Sequence, residues 1–512
     1  MVFTTHYDVC FTNYVSDYFR ADILHLQNFA CVFTSTVITK KNILRIKSRD
    51  ANDDRVTSLM LNNLHYHSLL PKTNGTKEKQ HTPITTKTSF YRKPSSAGPL
   101  PSQITMLSQP TLRSSHAPSL WPCPRSRSFF RGRGPRCLES CPQSKIFEKL
   151  MYNGRDVAVA PYGEYWRQMK SVCVLHLLSN KMARSFRDVR EEEVSLMMEK
   201  IRTSSSLWVN LSELLSSLTN DVICRVALGR KYGAGTDFKE LIDRFTKLLG
   251  VSSVGSYVPW LVWIDWICGL DGQLEKTRNY FDEFLERVVQ HHVDGNGDRN
   301  DFVDVLLAIQ REKNVGFEID RTNIKAIILN IFVGGTDTSY TLMEWAMTEI
   351  LLHPECLNIL QEEYLKAVIK ETLRLQPPLP LLVPHKSTQE VILRDYGIPA
   401  GTQVTINAWA IGREAATWGP DAENFRPERH LDSSVDFRGH DFELIPFGAG
   451  RRICLAISFA AVLNDLVLAN LVHQLNWRLP AESNEVKTNV AESIGTVIHR
   501  MFPLYAIASS TT

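Results

Sequence analysis

Hydrophobic and polar positions follow a helical period over much of the chain beyond Ser144 and over little of it before. Ser179–Ile201 is charged and amphipathic, and Leu207–Leu228 sets Leu211, Leu214, Leu215 and Leu218 at helical spacing. Both predict scaffold helices. Asn300–Gln310 and Ile319–Leu352 are helical by the same pattern, and a long apolar segment runs from Leu455 to Leu475. Between them, the prolines in Pro377–Pro384 bar a helix and predict extended backbone. Val391–Ile398 and Gln403–Ile406 alternate as strands, with Pro399-Ala400-Gly401 as their turn. Val497–Ser509 is again β-rich. Residues 1–140 hold no sustained period. Thr, Ser, Asn and Pro crowd Thr73–Ser128, which predicts disordered or weakly ordered chain. The change of texture divides the sequence into an atypical basic segment, 1–143, and a globular domain, 144–512.

Charge sharpens that division. The net +3 conceals 19 Lys+Arg against 8 Asp+Glu in residues 1–140, with 39 against 47 in the remainder. Arg125–Arg136 admits a nucleic-acid-binding arm or a basic stretch without a partner. The second is preferred, and no nucleic-acid partner is expected. With 43% hydrophobic and 22% charged residues the chain can build a sizeable core. Its ten cysteines are scattered without a Cys-x-x-Cys pair, which predicts a reducing compartment rather than a disulfide framework or a zinc site. Ile23–Ile38, the most apolar early window, is interrupted by His25, Gln27 and Asn28 and is short for a membrane span.

Three stretches carry candidate chemistry. Phe447-Gly448-Ala449-Gly450-Arg451-Arg452-Ile453-Cys454 delivers a cysteine to the start of the last apolar segment. Glycines let backbone approach a flat group, and a helix N-terminus beside Arg451 and Arg452 favours thiolate over thiol. A held, electron-rich thiolate suits haem iron; a buried structural cysteine is the other reading. Gly334-Gly335-Thr336-Asp337-Thr338-Ser339 is costly by propensity inside a helix. Close approach of a planar ligand, with Asp337 and Thr338 feeding protons to bound oxygen, accounts for it; a glycine-weakened kink is the alternative. Trp260, Trp263 and Trp266 suit either a membrane interface or a large core.

The pattern Phe-x-x-Gly-x-Arg-x-Cys, filled by Phe447, Gly450, Arg452 and Cys454, resembles the haem-binding loop of the cytochrome P450 monooxygenases of the plant microsomal type. Ala456 stands where that family usually has Gly. Pro161–Lys170 resembles the helix along the haem edge, where Trp166 and a basic residue hold a propionate. Lys170 there replaces the more usual Arg, keeping charge without bidentate geometry. His385 occupies a second position where relatives often have a propionate-binding Arg, a contact so made weaker or pH-dependent. Tyr364–Leu375 resembles the Glu-x-x-Arg helix with Glu371 and Arg374 on one face, and Phe425–Arg429 resembles the segment whose Arg429 completes a buried lock. Relatives insert a further helix and loop before Tyr364, which here follows Gln361-Glu362-Glu363 directly.

The resemblance implies a mainly α fold with small β-sheets and a haem b cofactor ligated by Cys454. It implies insertion of one oxygen atom from O2 into a small lipophilic substrate. Electrons would come from NADPH through a partner flavoprotein reductase, since the chain has no nicotinamide or flavin fingerprint. Phe332, Gly334, Leu382 and Ile494 are the expected pocket residues, with Ser493–Thr496 touching substrate. Tyr257–Trp266 is the expected peripheral membrane contact. The implied location is the cytosolic face of the endoplasmic reticulum, or the cytoplasm given no clear N-terminal anchor. A second reading is a truncated, catalytically inactive remnant that does not bind haem productively.

Overall fold

The computed structural model describes residues 103–107, 120–122, 140–142, 144–204, 208–232, 238–251, 253–257, 259–295, 300–312, 317–359, 362–393, 396–480, 491–493 and 495–510. The Ile23–Ile38 window, the Arg125–Arg136 run and Ile494 lie outside them. The main strands are β1 (Gln103–Leu107), β2 (Leu120–Pro122), β3 (Trp208–Asn210), β4 (His385–Lys386), β5 (Val391–Leu393), β6 (Tyr396–Ile398), β7 (Gln403–Ile406), β8 (Leu475–Arg478) and β9 (Tyr505–Ser510). The principal helices are α1 (Lys145–Leu150), α2 (Glu164–Val172), α3 (Arg187–Thr203), α4 (Leu211–Leu228), α5 (Phe238–Leu249), α6 (Leu270–Asp294), α7 (Phe302–Glu312), α8 (Arg321–Leu352), α9 (Glu362–Leu375) and α10 (Ile457–Gln474).

Helix α8 is the axis. It starts at a reciprocal cap, in which Asp320 accepts from the Asn323 N–H at 2.8 Å and Asn323 accepts from the Asp320 N–H at 3.0 Å. It ends where Pro354 cannot continue it. A helix apolar on nearly every face must be surrounded; Ile324, Ile327, Ile328, Phe332, Met343 and Trp345 are all fully buried, and α4, α7, α9 and α10 pack around it. Helix α10 is long and apolar enough to cross a membrane by length and composition. Here Leu463, Val467, Leu468 and Leu471 enter the same core.

Three antiparallel sheets flank the helices among the described residues, in the orders β2-β1-β7-β4, β3-β9-β8 and β5-β6. Four expectations change in detail. Residues 103–107 form a strand, with Ile104 opposite Ile406; five residues offer too few alternations to register as a period. Val391–Ile398 is itself a hairpin, with Val391 opposite Ile398, while β7 joins another sheet. Pro399-Ala400-Gly401 therefore links two sheets instead of closing one hairpin. Pro377–Pro384 is not a continuous strand: Leu382 is left-handed at φ 51, and its prolines lack ladder donors. Leu207–Leu228 opens as strand β3 before α4, because Asn210 caps the helix by accepting from the Glu213 N–H at 3.2 Å.

Candidate active site

The segment before α10 is a loop closed on itself. Gly448 and Gly450 adopt φ 73 and 71, conformations that favour glycine. The Gly448 N–H donates to Ile445 O (3.0 Å), and the Cys454 N–H returns to Phe447 O (3.0 Å). The Phe447 ring lies 5.5 Å from that of Phe437. A Cβ built on Gly448 or Gly450 would meet no atom within 4 Å, so one side of the loop faces open space. Cys454 is exposed as a residue, although protein atoms crowd its sulfur. That desolvation pushes its thiol pKa up, and the Ala456 N–H bond opposes the shift. The expected arginine field is not what tunes the sulfur. Arg451 reaches the Tyr162 hydroxyl. Arg452 donates to Ala160 O at 2.5 Å and Ala158 O at 3.3 Å. Both guanidinium groups bond to the loop before α2.

A cluster of cations results at that edge. Lys170 on α2 donates to Arg451 O at 2.6 Å, and its pKa is lowered by burial and by the charges of Arg452 and Arg451. The Trp166 ring carries Arg452 at 4.3 Å and Lys170 at 5.1 Å from its centroid. Its indole N–H donates to Val157 O at 3.0 Å, so that donor faces backbone rather than an incoming anion. His385 sits on β4, half-buried, opposite Val404.

The two glycines of α8 have different causes. A Cβ on Gly335 would come within 2.8 Å of Ile223 Cδ1 on α4, whereas one on Gly334 would meet nothing within 4 Å. Gly335 therefore serves helix packing, and Gly334 alone borders open space. Thr338 returns its hydroxyl to Gly334 O (2.6 Å) and Thr341 to Asp337 O (2.8 Å). Burial, with Asp243 adding repulsion, raises the Asp337 carboxyl to about 6. Phe332 has no accessible surface. It packs in the core instead of opening on a cavity, contrary to expectation. Leu382 is half-buried and packs beside Val404 and Ile406.

On α9, Glu371 and Arg374 form a two-pronged pair at 2.7 Å through both carboxylate oxygens. The Arg429 Nε adds a bond at 3.0 Å. Two donors were not foreseen: His430 Nε2 at 2.9 Å and the Arg426 backbone N–H at 2.9 Å. Arg374 also reaches the carbonyls of Gly412, Ala422 (2.6 Å) and Asn424 (3.2 Å). Burial pushes the Glu371 carboxyl up, but the bonds from Arg374 and His430 and the Arg374 charge outweigh it and hold it at about 2. The lock closes although residues 353–361 alone link α8 to α9.

The three tryptophans project outward. Trp260, Trp263 and Trp266 are 78%, 53% and 73% exposed, so the core reading falls. Buried Asp265 pins the turn beneath them by accepting from the Ser253 hydroxyl (2.7 Å) and the Gly255 N–H (3.0 Å).

Comparison with known proteins accounts for this assembly. Residues 138–501 match the Cytochrome P450 family. The chain belongs to the cytochrome P450 family. Cytochrome P450 71A22 and Cytochrome P450 71A26 of Arabidopsis thaliana are each 73% identical to it over 397 residues, 74% of this chain and 81% of each relative. Two zebra fish cytochrome P450 structures, with abiraterone and with progesterone, share its fold. Their TM-scores are 0.60 and 0.63 at 22% and 20% identity, over 75% and 79% of this chain and 91% and 96% of theirs. This cytochrome P450 is accordingly a haem-dependent monooxygenase. The residues present fit the group: a sulfur donor at the exposed Cys454, backbone without side chains and with open space beside it at Gly334, Gly448 and Gly450, and cations at Lys170 and Arg452 over Trp166. When bound, haem supplies the activation of O2.

Proposed function

We propose that this cytochrome P450 inserts one oxygen atom from O2 into a small lipophilic substrate, with electrons from NADPH delivered by a flavoprotein reductase. Cys454 is the iron ligand in this reading, and its exposure at the end of a glycine loop is the observation that carries it. Phe447 and Gly450 shape that loop. Arg452 and Lys170, stacked on Trp166, offer positive charge to the propionates, and His385 adds a donor from β4. Asp337 holds or releases a proton near neutral pH, and Thr338 orients polar groups beside Gly334. Glu371, Arg374 and Arg429 brace the proximal side. Gly334, Leu382 and Ile494 border the substrate, with Phe332 as backing. Exposed tryptophans beside an apolar rim suit the interfacial zone of a bilayer, which supports peripheral contact through Tyr257–Trp266 at the cytosolic face of the endoplasmic reticulum.

The absorption spectrum of the reduced, carbon-monoxide-bound protein tests this. A strongly red-shifted Soret band is expected, and Cys454→Ala should abolish it. Survival of that band in the variant would mean that another group ligates iron. Absence of bound haem from the purified chain would favour the inactive remnant instead.

A further inference from the structure

Glu344 on α8 is fully buried and joins three separate segments. Its Oε1 accepts from the Ser212 hydroxyl on α4 and from the Tyr340 phenol at 2.8 Å. Its Oε2 accepts from the backbone N–H of Arg500 at 3.1 Å. The Ser212 oxygen in turn accepts from the Leu504 N–H at 2.7 Å. The adjacent Trp345 donates its indole N–H to Ile498 O at 3.0 Å, and the Ile498 N–H donates to Pro378 O at 3.0 Å. The returning arm of the C-terminal loop is thus held at Ile498, Arg500 and Leu504 by groups fixed elsewhere. The outgoing arm is bonded to that returning arm, Ser493 N–H to His499 O and Met501 N–H to Ala491 O, each at 2.8 Å.

The tip of the loop meets a second constraint. A Cβ on Gly250, just past α5, would lie 3.0 Å from the Thr496 backbone nitrogen. The tip is therefore gripped between the end of α5 and the polar spine of α8. Burying a carboxylate is expensive unless its bonds are made, and apolar packing would fill the same volume. What packing lacks is direction: a carboxylate accepting from a backbone N–H fixes the height of a loop as well as its proximity.

We infer that Glu344 is a positioning residue for substrate selection, setting the height of loop residues 495–497 relative to the open face of α8 at Gly334. This rests on the reading that Ile494 and its neighbours line the pocket. Glu344→Gln has one acceptor oxygen and an amide that cannot accept, so it must give up either the Arg500 N–H or the paired hydroxyls.

The test uses the haem-loaded full chain, titrated optically with two azoles. Imidazole is small enough to reach the iron without touching the loop; clotrimazole carries a bulky chlorophenyl-diphenylmethyl group that the loop must accommodate. Glu344→Gln should weaken clotrimazole by about tenfold, the scale of a lost charge-assisted hydrogen bond, with imidazole affinity unchanged. Gly250→Ala, pressing on Thr496 from the other side, should also change clotrimazole affinity alone. Amide hydrogen exchange, which does not read the iron, should quicken in residues 491–503 of Glu344→Gln and not elsewhere. Equal weakening of both azoles would mean general loosening and would overturn the inference. Ile494→Ala separates the two levels. If it leaves clotrimazole unchanged, the pocket reading fails. If it weakens clotrimazole while Glu344→Gln and Gly250→Ala do not, Glu344 has no positioning role. Should Glu344→Gln not fold, Tyr340→Phe removes one donor to the same oxygen and must reproduce the azole discrimination in smaller degree; no discrimination there overturns the inference.

Discussion

Glu371→Gln puts the proximal lock to a quantitative test. The native carboxylate is fully buried and accepts from Arg374, Arg429, His430 and the Arg426 N–H. Its pKa falls from 4.5 to about 2 on folding. At 1.36 kcal/mol per unit, that depression corresponds to about 3 kcal/mol of stability. Because the folded value is the lower one, this stability is fully present above about pH 4.5 and is lost as pH falls toward about 2. Neutralising the carboxylate strands buried guanidinium groups, for which about 3–5 kcal/mol is the usual loss. Urea unfolding followed by tryptophan fluorescence should therefore show a deficit of that size at pH 7, with the variant less sensitive to acid between pH 4.5 and 2. Adding Arg429→Gln should cost less than the sum of the single changes, by about 1–3 kcal/mol of coupling. A deficit under about 1 kcal/mol, the scale of an exposed ion pair, together with unchanged acid sensitivity, would refute the claim that this cluster braces the proximal side.

The paired glycines of α8 should separate cleanly in thermal unfolding. Gly334→Ala is expected to raise stability by up to about 1 kcal/mol through helix propensity, whereas Gly335→Val should lower it by about 1–3 kcal/mol through overpacking against Ile223; a loss in the first would show that Gly334 does not border open space. Asp337 holds its proton to about pH 6, so native stability falls as pH rises from about 4 to 6. Asp337→Asn should remove that slope and be the more stable at pH 7, by about 1–3 kcal/mol. Persistence of the slope in the variant would assign it to another group. Replacing Trp260, Trp263 and Trp266 together by Ser should leave unfolding unchanged, since their side chains are exposed, yet reduce sedimentation with phosphatidylcholine vesicles; equal sedimentation of native and variant chains would exclude this patch as the contact.

Helices α3, α4, α7, α8 and α10 were legible because a buried stripe must recur at a fixed spacing, whereas α5 (Phe238–Leu249) and α6 (Leu270–Asp294) were not read from the sequence. Cys454, Gly450 and Arg452 were singled out for another reason: their spacing resembles a family loop, while the residues alone left a structural cysteine as the other reading. Glu371 and Arg374 were named by resemblance, and their i, i+3 spacing on one helix face agreed with it. Arg429 could be named only by resemblance, and His430 carried no signal beyond standing next to it. The Arg426 N–H could not have been found, since a backbone donor has no letter of its own.

The amino-acid order by itself determined the helices marked by an apolar stripe, where Pro354 must end one, and that a cysteine stands at the head of the last one, because propensity, period and proline chemistry act within a few residues. Only the tertiary structure decided the rest. It turned Arg451 and Arg452 toward the loop before α2, gave Gly335 to packing and Gly334 to open space, closed the lock across a short link, and faced three tryptophans outward. Each outcome depends on which distant atoms arrive at hydrogen-bonding or van der Waals distance, and that is set by how whole helices pack.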